Sequence, residues 1–175
     1  MKKCLNTEEK KCFFARLHEL NRGQRITLRR CVDRKYTLLR SERVLFLSLL
    51  PEGKISDYDP TLLQNLLFVA AVFCIPDIPF SGDSADASTI LADGLLSQAS
   101  SSSGAAQRME VILAYNASPV SNLYRSVGFV LQKAGKPVNC NRLLDDLQRW
   151  NDDEQVRQRW AMAFVEAAQK RKEII

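Results

Sequence analysis

Chemistry-bearing residues are scarce in this chain. It holds one histidine, His18, beside the apolar stripe of Leu17 and Leu20, and that setting points to packing or the surface rather than to catalysis. The five cysteines (4, 12, 31, 74 and 140) are odd in number and scattered, with no CxxC pair. Neither a disulfide framework nor a zinc site is suggested, and the expected location is a reducing cytoplasm. No GxSxG elbow, phosphate-binding glycine loop, dinucleotide fingerprint or HExxH is present. The local acids Asp77, Asp83 and Asp86 have irregular spacing and read as a solvated loop. Asp145 and Asp146 are adjacent, so on a helix they point apart and make no acid–base pair. The expectation is a non-enzyme without cofactor or metal.

Glycine (7) and proline (6) are also sparse, and the composition leans helical. The longest apolar run, LLFVAAVFCI at 66–75, is half of the roughly 20 residues a membrane span needs. It reads as a buried helix, and no membrane partner is expected. The lysines at the start are followed by NTEEKK and not by an apolar core, so no signal peptide is expected.

Positive charge is abundant, and it is regional. Residues 10–43 hold eleven Lys/Arg against three Asp/Glu, whereas 76–106 hold four aspartates and no base. Residues 107–149 are basic again, with six Lys/Arg against three acids. The densest stretch is NRGQRITLRRC at 21–31, with Arg22, Arg25, Arg29 and Arg30 and no acid. A cluster of this kind needs either acids from elsewhere in the chain or a polyanion. Arginine suits phosphate because its planar fork donates two parallel hydrogen bonds.

Helical periodicity with caps predicts nine helices. Asn6 and Glu9 have capping-box spacing ahead of a helix at 7–21, and Gly23 separates it from a short basic helix at 24–32. A helix at 42–50 starts at Ser41 and stops at Pro51. Asp59 and Pro60 open the apolar fourth helix. After an acidic loop at 76–88 comes a weaker helix at 88–98, with Gly94 counting against it. SSSSG at 100–104 reads as a flexible link between two lobes, 1–99 and 105–175. Four helices follow: 105–115, 119–134 (capped by Ser118-Pro119), 140–150 and 153–171. The expected fold is all-α, two small helical bundles packed together.

The order of motifs carries a resemblance. LNRGQRITLRRC, FLSLLP and LLFVAAVFC are followed by LADGLLSQ, QRMEVILAY, LYRSVGFVLQKAGKPVNCNRLLDDLQRW and VRQRWAMAFVEAA. This series, with its Trp150/Trp160 pair, resembles the small subunit of the type I-E CRISPR Cascade surveillance complex, the CasB family. The resemblance implies a non-catalytic, two-bundle helical subunit. It also implies a second copy packed head to tail, contacts with the crRNA-binding backbone subunits and the large subunit, and a basic surface that steadies the R-loop, especially the displaced single-stranded DNA.

Carried over by motif position, Arg29 and Arg30 in GQRITLRR, Arg108 in RMEVIL, Arg125 in LYRSVGFVL and Arg142 in NRLLDDL are candidate nucleic-acid contacts. Local charge adds Arg22, Arg25, Arg34, Lys35, Lys133 and Lys136. Arg108 and Arg125 lie among apolar neighbours, which points either to function or to an ion pair with Asp145 or Asp146. Two other readings stand beside this one. A free-standing helical DNA-binding regulator would use Gly23 in a helix-turn-helix, and a protein-only scaffold would leave the arginines solvated.

Overall fold

The computed structural model describes residues 1–31, 40–51, 55–76 and 84–173. Among them are nine α-helices, one 3-10 turn at Ile55–Asp57, and no strand: the fold is all-α. The helices are α1 (Thr7–His18), α2 (Arg22–Arg29), α3 (Arg40–Leu49), α4 (Pro60–Phe73), α5 (Ala87–Gln98), α6 (Ser102–Ala114), α7 (Leu123–Ala134), α8 (Cys140–Arg149) and α9 (Glu154–Glu173).

Helix starts follow the side chains that can satisfy orphan amides. Asn6 and Glu9 close a reciprocal capping box on α1, each bond 2.9 Å. Asn21 and Gln24 do the same for α2 at 3.0 Å, so Arg22 and Gly23 lie in its first turn and do not form a separating turn. Asp59 accepts from the Thr61 amide at 2.8 Å, with Pro60 opening α4. The largest shifts of a helix start from expectation are at α7 and α6. Residues 118–121 form a turn closed by the Ser121 amide on the Ser118 carbonyl at 3.0 Å. With serine first and proline second, the turn chemistry outcompetes helix, and α7 begins only at Leu123. In the serine stretch, Ser101 accepts from the Gly104 amide at 3.1 Å, so the stretch opens α6.

Packing follows from the apolar faces. α4, buried almost all round, contacts α2, α7 and α8, while α5 contacts α6, α7 and α9. One continuous apolar cluster runs from Leu5 to Trp160, across the serine stretch. Trp150 and Trp160 lie inside it edge to face, 5.1 Å apart. The Trp150 indole donates to the Tyr115 carbonyl at 2.8 Å, and Tyr124 donates to Asn65 of α4 at 2.7 Å.

Gly94 has a packing reason rather than a helix-breaking effect. A Cβ at this position would lie 2.4 Å from Cγ1 of Val130, on α7. The glycine therefore sets how closely α5 approaches α7. Alanine would gain roughly 1 kcal/mol of helix propensity. Overpacking against a β-branched, buried partner costs about 1–3 kcal/mol. Gly94→Ala is expected to lower the melting temperature, and Val130→Ala added to it should recover part of the loss. A Gly94→Ala protein that melts higher than wild type would contradict the close approach.

The thiols divide by burial. Cys4 is exposed and Cys12 half-buried, whereas Cys31, Cys74 and Cys140 are buried. Burial pushes the Cys74 thiol up to about 12 despite Arg25 and Arg29 nearby, and pushes Cys140 up as well. Since the thiolate is the reactive form, maleimide at neutral pH should label Cys4 first and Cys12 next. The other three should react only after unfolding, as peptide mass mapping would show.

Candidate nucleic-acid interface

The arginines of the first basic stretch do not all face the same way. Arg25 and Arg29, one turn apart, share a face of α2 that turns inward onto the end of α4. Arg25 is only 3% exposed. Its Nη2 donates to the carbonyls of Phe73 and Pro76 at 3.3 Å, and its guanidinium lies 5.1 Å from the centre of the Phe73 ring. Arg29 is half-buried and donates to the Ile75 carbonyl at 3.3 Å. Carbonyls at a helix C-terminus are electronegative and short of partners, so cations settle there. Arg25 is thus corrected from surface candidate to internal support. Arg16, not a sequence candidate, does the same for α3 by donating to the Ser48 and Leu50 carbonyls.

Arg22 and Arg30, at the two ends of α2, are exposed and have no ion-pair partner among the described residues. Arg34 and Lys35 lie outside the described residues. Arg142 is half-exposed and pairs with Asp86 at 3.1 Å. That pair ties the segment before α5 to the start of α8, alongside the Asn139 amide on the Ala85 carbonyl at 2.9 Å. It also accounts for Asp86 standing at the N-cap of α5 without a capping hydrogen bond.

Arg108 and Arg125 are both exposed. Of the two alternatives for them, the ion pair with Asp145 or Asp146 is not formed. Lys10 of α1 holds Asp145, and Asp146 is taken by Arg159 and by the Trp160 indole, the latter at 2.7 Å. Instead the two arginines line adjoining hollows between α6 and α7. One, of about 260 Å³, is lined by Arg108 and Val111. The other is lined by Arg125 and Tyr115. Ser126 and Phe129 belong to both. Lys133 and Lys136, also exposed, lie along a third hollow with Asp93 and Gln98.

Sequence reading missed Phe129. Its signal is its position off the apolar stripe of α7, four residues after Arg125 and four before Lys133. His18 is exposed, with its ring edge-on to Phe73 at 4.9 Å. Among the described residues no three His, Cys, Asp or Glu side chains converge in a metal-binding group. None of their helices is long and apolar enough to cross a membrane.

An all-α fold that leaves cations unpaired at the ends of α2 and along α6 and α7 defines a helical protein with a patterned cationic surface. The sequence model of the family described as CRISPR-associated protein Cse2 matches residues 24–164, and the chain belongs to that family. It is thus a subunit of a type I-E CRISPR Cascade complex, in which the family has a structural place, and it associates with other Cascade subunits. No curated protein and no solved structure matches the chain.

Proposed function

We propose that this chain is a non-catalytic Cascade subunit that holds nucleic-acid backbone and keeps the R-loop open, chiefly by gripping the displaced DNA strand. The observation that supports this most is that six of the candidate cations, Arg22, Arg30, Arg108, Arg125, Lys133 and Lys136, are exposed without ion-pair partners among the described residues. All but Arg22 fall within the family match. Arg34 and Lys35 join the set on sequence grounds, Arg29 and Arg142 contribute through whatever part of them stays accessible, and Arg25 does not.

The energetics suit such a role. Exchange of a DNA duplex for a guide heteroduplex is nearly balanced, so a few backbone contacts decide whether the loop persists. A surface that must accept any displaced sequence reads phosphates, not bases. In this reading the chain bridges the crRNA-binding backbone subunits and the large subunit in the cytoplasm, two copies lying head to tail, with cleavage left to another protein. The test is a tagged pull-down from the native host with sequencing of the co-purifying RNA. A uniform short RNA with repeat-derived ends, together with larger CRISPR proteins, is the expected result. A chain that comes down alone, or with DNA of a defined sequence, would favour the free-standing regulator.

A further inference from the structure

Phe129 is 59% exposed, and Val111 across the same hollow is 51% exposed. Phe129 makes no ring contact with any described residue. Arg125 and Lys133 stand one helical turn to either side of it on α7, and Arg108 reaches the hollow from α6. None of these three cations has an ion-pair partner among the described residues. No carboxylate lines either of the two hollows that meet at the ring. An apolar ring with a cation before and after it along one line repeats the alternation of base and phosphate in a nucleic-acid strand.

We propose that Phe129 is a stacking platform for an unpaired base of a single strand, with Arg125, Lys133 and Arg108 holding the flanking phosphates. A duplex fits less well, because its bases are already stacked and offer a side chain no free face outside the grooves. A protein partner is less well matched too, since it would have to bring carboxylates to Arg108 and Arg125 in the two hollows at the ring, while Lys133 lines the next hollow with Asp93. Stacking is tolerant of sequence because every base has a π-face, which suits a surface that must accept any displaced strand. This inference rests on the backbone-holding function proposed above and adds a base contact to it.

The test uses the assembled surveillance complex bound to target duplexes that carry 5-iodouracil at successive positions of the displaced strand. Irradiation and peptide mapping should find one position crosslinked to the peptide containing Phe129. Phe129→Leu, which keeps apolar volume but removes the ring, should abolish that crosslink and shorten the lifetime of the open loop roughly 10-fold. Absence of a crosslink to this peptide at every position would overturn the proposal. So would a hollow already protected from hydrogen exchange by a neighbouring copy before target is added. If Phe129→Leu has no effect while charge reversal at Arg30 and Arg125 collapses the loop, stacking fails and the backbone-holding function stands. If neither change has an effect, both fail.

Discussion

Asp146→Ala is expected to cost about 3 kcal/mol of folding stability, which for a chain of this size lowers the melting temperature by roughly 6–12 °C. Asp146 is 7% exposed, and one carboxylate oxygen accepts from the buried Trp160 indole at 2.7 Å while the other pairs with Arg159. Alanine leaves a buried N–H without an acceptor, at about 1–3 kcal/mol, and removes the partner of a half-buried cation. The Arg159 share is reduced because its side chain is 37% exposed and water can replace the carboxylate. Asp146→Asn separates the two parts. It can still accept from the indole but loses the charge, so it should retain about half of the difference in a thermal melt. Equal losses for the two variants would place the whole effect on Arg159.

Charge reversal of Arg30 and Arg125 together should weaken the hold of the assembled complex on opened target about 100-fold or more at low salt. The reason is counterion release: each phosphate contact with a single strand contributes about 0.7 to the slope of log affinity against log salt. Loss of two contacts should therefore flatten the slope by roughly 1.4. Arg25→Ala supplies the contrast. It should lower thermal stability, because the Phe73 and Pro76 carbonyls lose their donor, while the salt slope stays at the wild-type value. A reversal variant whose slope is unchanged would mean that these arginines are solvated, as the protein-only scaffold requires.

What could be read in advance depended on how local the deciding physics is. Asn6 with Glu9, and Asp59 with Pro60, mark helix starts because their partners lie within one turn, and both starts fall where expected. The buried fourth helix followed from its continuous apolar run, which is equally local. Arginine direction did not. Arg25 and Arg30 look alike in the chain, yet one faces α4 carbonyls and the other faces water, since a guanidinium serves a helix C-terminus as readily as a phosphate. Which arginine does which is set by where the end of α4 lands, a long-range contact. Gly94 was misjudged for the same reason, since its partner Val130 is on another helix. Phe129 was hidden because an aromatic in a helix is usually core, and only its register against Arg125 and Lys133 sets it apart.

The most direct measurement of the central claim is permanganate and nuclease footprinting of the displaced strand in target-bound complexes assembled with and without this chain. The account predicts protection of a continuous stretch when the wild-type chain is present. That protection should be lost without the chain, and lost equally with the Arg30→Glu, Arg125→Glu variant at unchanged assembly. A displaced strand equally accessible in all three complexes would contradict it.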